Sequence, residues 1–190
     1  MRTSFPLLLA CACATSKPGP RATSAAADAI SSATAPAASA KIEARSGSAL
    51  SGSVKLVDVD KGGLGVHVEV ENAAPGLHGV HIHEKGDCND PKAMSAGGHY
   101  NPNAGAHHGG PVTNVRHGGD LGNIEVGSNG KGVLDVIVQD VSVAGPENGV
   151  VGRAIVIHEK ADDLMTDPAG NLGARIGCGI ILPPTAQPSR

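Results

Sequence analysis

From Lys41 to Leu182 the chain sustains no long helical period. It runs in short alternating or β-branched segments, cut at regular intervals by Gly, Asn, Asp and Pro. The runs fall at 41–46, 51–58, 65–70, 76–84, 120–126, 132–140, 152–158 and 174–182. Turn signals stand between them, among them Asp60-Lys61-Gly62-Gly63, Asn72-Ala73-Ala74-Pro75 and Ser128-Asn129-Gly130. Eight such strands predict an all-β fold, an eight-stranded Greek-key sandwich or flattened barrel. Two connections, 85–119 and 159–173, are too long for hairpins. Long connections in compact domains tend to be functional or disordered. Both of these begin next to histidines, which marks them as the two functional loops.

Composition limits what can fill the fold. Past residue 10 the only aromatic is Tyr100, so the core must be built from Val, Ile, Leu and Ala. The formal net charge is −3, and no basic cluster is visible. A nucleic-acid binder would more often carry a basic excess on one face, so no nucleic-acid partner is expected.

The N-terminus reads as a separate unit. Residues 1–13 are MRTSFPLLLACAC, with Arg2 ahead of a short apolar run ending in small residues. That is the layout of a secretory signal over 1–10, because a membrane span needs about 20 apolar residues. Leu8-Leu9-Ala10-Cys11 resembles a bacterial lipobox, with Cys11 as the lipidated residue and Cys13 as the alternative. An ordinary cleaved signal and a misplaced start codon are the competing expectations. From 11 to 39 the chain is mostly Ala, Ser, Thr and Pro. Such a segment buries too little surface to offset its ordering entropy and is expected to be a disordered tether. As a flexible coil it would reach roughly 25–30 Å. The β domain is expected over 40–184, with a tail at 185–190. The expected location is the cell envelope or periplasm, with the lipid as the only membrane attachment.

Seven of the nine histidines lie between residues 78 and 120. Histidine is the commonest protein metal ligand. His81 and His83 are one residue apart in a strand, so they share a face, while Val80 and Ile82 share the other. Two imidazoles on a rigid strand make half of a four-nitrogen site, and His158, ending another strand, could add to it. Such a set suits copper or zinc, and tetragonal nitrogen geometry favours copper(II). His108, His117 and Asp120 lie in a glycine-rich loop and need one more ligand to close a tetrahedral zinc shell. His99 falls between the two groups. An imidazole without protons can bind a metal through each nitrogen, so His99 could bridge them.

Cys88 and Cys178 are the only cysteines outside the leader. In an exported protein they are expected to form a disulfide; two buried free thiols are the alternative. Closing a loop of this length would stabilise the fold by roughly 4–5 kcal/mol in the chain-entropy model.

Several ordered motifs resemble the copper,zinc superoxide dismutase family. They are His78-Gly79-Val80-His81-Ile82-His83-Glu84, Gly98-His99-Tyr100-Asn101-Pro102, His108-Gly109-Gly110-Pro111, Arg116-His117-Gly118-Gly119-Asp120-Leu121-Gly122-Asn123, His158-Glu159-Lys160-Ala161-Asp162-Asp163 and Gly173-Ala174-Arg175-Ile176-Gly177-Cys178-Gly179. The resemblance covers about 41–182 and implies that family's sandwich fold. It implies one copper per chain on His81, His83, His99 and His158. It implies one zinc on His99, His108, His117 and Asp120, with His99 shared. Arg175 would attract the superoxide anion, and His99 would deliver a proton. Asp162 would hydrogen-bond one imidazole of each site. Cys88 and Cys178 would be the family disulfide, and His78 a structural histidine. The implied reaction is dismutation of superoxide to oxygen and hydrogen peroxide by alternate reduction and oxidation of copper. Zinc would be structural, the role would be protection of the envelope, and a homodimer is possible.

The sequence departs from the family in places. Pro168 and Ala169 precede Gly170-Asn171, where a lysine and a threonine are common. Lys160 and Arg175 are then the clearest attractive charges. His107 adjoins a zinc-type ligand, and His67 sits in a strand; the resemblance gives neither a role, and both are expected to be exposed or packed surface residues.

Overall fold

Strands form where the alternation predicts them, with edges shifted by a few residues. The structure is a computed structural model describing residues 24–33, 38–59, 62–103 and 105–183. The strands are β1 (Ala38–Ala44), β2 (Ser51–Asp58), β3 (Leu64–Glu71), β4 (Gly76–His83), β5 (Asp120–Val126), β6 (Gly132–Val138), β7 (Ala154–His158) and β8 (Arg175–Ile180). They close into an antiparallel barrel in the order β1-β2-β3-β6-β5-β4-β7-β8, with β8 back against β1. β3 pairs with β6 instead of β4, the crossing that makes the topology a Greek key.

The barrel interior is aliphatic. Ile42, Leu56, Leu64, Val66, Val80, Ile82, Ile124, Ile155 and Ile157 are among its fully buried members, and Tyr100 is the one aromatic packed with them. A smaller cluster lies outside the barrel, where Ala93, Ala96, Ala154 and Val156 surround the Cys88–Cys178 disulfide. That bond spans 90 residues and ties the start of the 84–119 connection to β8.

Leader residues Cys11 and Cys13 lie outside the described residues. Part of the expected tether is ordered. Helix α1 (Ser24–Ser32) lies against β3 and β6, and β1 already begins at Ala38. The helix is almost all Ala and Ser, so its composition carries little apolar signal. Ile30 alone supplies a large buried side chain, seated over Gly65, where a Cβ would come within 2.7 Å of it. No helix among the described residues is long and apolar enough to cross a membrane.

Candidate metal centre

β4 holds the centre. Its register against β5 shifts between Gly79 and His81, a bulge that sets His81 opposite Asp120. His83 and His99 form an isolated antiparallel bridge. Backbone bonds then stitch the first long connection to the strand. Tyr100 N–H donates to Ile82 at 2.8 Å, Gly119 N–H to Tyr100 at 2.8 Å, and Ile82 N–H to Gly119 at 2.9 Å. A Cβ at Gly119 would collide with the Ile82 carbonyl oxygen, so this close crossing needs glycine. His158 ends β7, next to β4 in the barrel. Both faces of β4 from His78 onward are therefore buried, one by the barrel core and the other by the loops.

Of three compact groups among the described residues, two meet at His99 and the third is His108, Asp162 and Asp163. His81, His99, His108 and Asp120 bring ligand atoms within 4.8 Å of one another, and so do His83, His99 and His158. His99 belongs to both. Its Nδ1 lies 2.9 Å from Asp120 Oδ1, and its ring stacks on His81 at 3.9 Å between centroids. His83 Nε2 and His158 Nε2 are 3.4 Å apart, and His83 Nδ1 donates to the Gly97 carbonyl at 3.0 Å. His81 thus stands between the groups, also edge-on to His158 at 5.2 Å between centroids. His117 lies just outside the first group, with Nδ1 3.4 Å from Asp120 Oδ1.

Asp162 joins the groups from the second connection. Its two oxygens accept from His81 Nε2 at 2.8 Å and His108 Nε2 at 2.7 Å. Asn123 holds Asp162 in turn, accepting its N–H at 2.7 Å and donating to its carbonyl at 3.0 Å. At Gly170 the backbone has φ +70° and passes so close that a Cβ would strike Asp162 and His108. The sequence motif that contains Asn123 gives it no role. The same is true of buried Arg116, which donates to the carbonyls of His117 and Gln139 at 2.7 and 2.8 Å. His78 braces β4 differently, its ring nitrogens each 2.8 Å from the carbonyls of His158 and Ala74.

Burial sets the electrostatics. It lowers His81 to about 4 and pushes His83 and His158 well below the ordinary imidazole value. Burial also lowers His99. These rings are neutral near pH 7, the form that binds metal. Burial would lower His108 too, but the Asp120 carboxylate beside its ring and the hydrogen bond to Asp162 win and raise it to about 10. Burial opposes ionisation of Asp120 and Asp162, yet hydrogen bonds from the histidines hold both below the usual carboxylate range. His108 Nδ1 is 3.2 Å from Asp120 Oδ1 and makes no hydrogen bond there.

Five buried ring nitrogens find no hydrogen-bond partner: His81 Nδ1, His99 Nε2, His108 Nδ1, His117 Nδ1 and His158 Nδ1. Leaving a buried polar atom unpaired costs about 1–3 kcal/mol. So many in one place fit ligand atoms for soft or borderline cations such as copper and zinc. Beside them lies a cavity of about 540 Å³, lined in part by His99, His158, Arg175, Lys92, Met94 and Asp167. Arg175 is fixed by donating to the carbonyls of Ala93 and Gly97, both at 2.8 Å. Lys92 gives the rim a second cation that the sequence did not reveal. Lys160 is not part of this lining.

A model of the copper/zinc superoxide dismutase (SODC) family matches residues 50–181. The chain belongs to this family. It is an oxidoreductase of the copper,zinc superoxide dismutase type, and the family's reaction is dismutation of superoxide. A copper,zinc superoxide dismutase from Deinococcus radiodurans is 45% identical over 128 residues, covering 62% of this chain and 70% of that protein. The superoxide dismutase-like protein YojM of Bacillus subtilis is 38% identical over 153 residues, or 73% of this chain and 72% of its own length. Among solved structures, the crystal structure of the clock protein EA4 superposes with a TM-score of 0.69 at 35% identity, covering 78% of this chain and 95% of that one.

Proposed function

We propose that the centre dismutates superoxide with one copper on His81, His83, His99 and His158 and one zinc on His99, His108, His117 and Asp120. The observation that carries this reading is His99, common to two of the compact groups, with Nδ1 facing Asp120 and Nε2 unpaired. Copper bound there supplies the one-electron couple that takes an electron from one superoxide and gives one to the next. The protein's own groups do the rest. Arg175, anchored at the cavity rim, offers a permanent planar charge to the anion. Lys92 adds a second cation on the same cavity wall. A positive cavity in a mildly negative protein can focus an anion and raise the encounter rate. His99 can carry a proton at Nε2 to the reduced product. Asp162 fixes the ring orientation of His81 and His108, one from each set.

The disulfide supports an extracytoplasmic location. With the leader reading, it favours a protein exported behind a signal at 1–10, anchored by a lipid on Cys11 or Cys13, tethered by the residues ahead of α1 and protecting the envelope. A homodimer is compatible with this arrangement. The test is metal content and dismutation on one sample of the folded chain. About one copper and one zinc per chain, with cyanide-sensitive activity, is the expected result. Zinc without copper, and no activity after copper loading, would overturn it.

A further inference from the structure

Resting on that ligand reading, we infer that Asp167 is a positioning residue for the zinc-side ligand His108, and that His107 is its partner. Asp167 lies in the second long connection. Its Oδ1 accepts the backbone N–H of His108 at 2.8 Å, and its Oδ2 accepts from His107 Nδ1 at 2.6 Å. The same connection holds the His108 ring through Asp162 Oδ1 at 2.7 Å. One loop therefore grips the ligand at both ends, ring and main chain. A hold on the ring alone would leave the backbone of the glycine-rich segment free to carry His108 away from Asp120. The second hold removes that freedom. This also gives His107 a task that the ligand set does not.

The two bonds are unequal. The His107 side chain is 75% exposed and that of Asp167 51%, so the bond between them competes with water and is weak. The bond to the His108 amide is partly buried, and its carboxylate acceptor makes it the stronger hold. Alanine at 167 removes both holds. Asparagine keeps an acceptor for the amide. Alanine at 107 removes only the exposed bond.

The experiment follows zinc and copper release to a chelator from the loaded full chain. Asp167→Ala should release zinc about tenfold faster than the parent, the lower end expected when a group behind a ligand is lost. Asp167→Asn should stay within about threefold, and His107→Ala within about twofold. Copper release should be unchanged in all three. Zinc release at the parent rate from Asp167→Ala would overturn the inference. So would equal acceleration of both metals, which would mean general loosening of the loop. His108→Ala separates the two levels. If it keeps zinc as the parent does, the ligand reading fails and takes this inference with it. If it loses zinc while Asp167→Ala does not, the role of Asp167 alone falls.

Discussion

Val80 and Ile82 face the barrel interior, and His81 and His83 leave the same strand on its other face. All four are fully buried. The inner pair sits among aliphatic neighbours and needs only volume and shape. The outer pair carries polar atoms, and each must be matched. Asp162 and Gly97 match one nitrogen of each ring. His81 Nδ1 remains unmatched. Equal burial thus hides opposite purposes. One face of β4 lowers the free energy of the fold, and the other spends some of it to hold a reactive arrangement.

The sharpest way to separate the faces is to truncate neighbours. Ile82→Ala should destabilise the protein by about 3–4 kcal/mol, from lost burial and the cavity left behind. Activity per folded molecule should remain near the parent value. His81→Ala should do the reverse. Dismutation should fall by at least about a hundredfold, since losing a ligand exceeds losing a group behind one. The melting temperature of the metal-free chain should fall less than for Ile82→Ala, because an unmatched buried nitrogen leaves along with the lost volume and the lost bond to Asp162. Thermal melts of metal-free protein beside superoxide assays of loaded protein read both arms. If the two variants behaved alike, the division between the faces would be wrong.

Acid should reach the outer face before the inner one. In the metal-free protein, His81, His83, His99 and His158 are neutral when folded, because burial lowers each of them. Once unfolded, they take up protons below about 6.5. The unfolded chain therefore binds more protons between about 4 and 6.5, and stability must fall as pH falls through that window. His108 has the opposite sign. Its folded value is raised to about 10, so its contribution is complete below about 6.5 and is lost as pH rises towards 10. Metal-free stability should peak near neutrality. Denaturant melts across pH would show the peak, and a flat profile from pH 5 to 7 would contradict the neutral assignments. With the proposed ligand set, bound metal should flatten the acid side, because it would hold the same nitrogens without protons.

At the cavity the effect should be smaller. Arg175→Ala should lower kcat/KM about tenfold at low salt with copper retained, and the gap should narrow as salt rises. A residual salt dependence would point to Lys92. Activity equal to the parent at every ionic strength would remove Arg175 from the reading.

These contrasts were legible in the sequence to different degrees. Alternation at Val80-His81-Ile82-His83 places two imidazoles on one face with no further information. The β-branched runs mark every strand for the same reason, and strand edges blur because hydrogen bonding fades there gradually. Asp120 pairing with His81 depends on a bulge, which no spacing shows. Lys92 reaches the cavity because the disulfide and the backbone of 84–98 carry it there, a purely tertiary effect. Asn123 and Arg116 hide for a similar reason, since their roles are hydrogen bonds to distant main chain. Helix α1 is the clearest miss. Composition reads its Ala and Ser as tether, and one isoleucine over one glycine is too small a signal to show periodicity.

That helix supplies the mildest test, because it docks on β3 and β6, which carry none of the proposed metal ligands. A nine-residue helix is marginal alone, so α1 must draw its order from docking on β3 and β6. Ile30 is its one large buried anchor. Ile30→Ala should undock the helix at a cost of about 1–2 kcal/mol, less than a core truncation because the site lies at the barrel's edge. Among the described residues no hydrogen bond joins α1 to the barrel, so the loss should stay local. Amide exchange over 24–32 should rise towards the unprotected rate, while β4 and β5 keep their protection and dismutation is unchanged. Gly65→Ala should give the same pattern from the other side of the contact, because its Cβ would displace Ile30. If either change also exposed β4, the outer face of the barrel would be energetically coupled to its N-terminal strap, and the two regions would have to be treated as one cooperative unit.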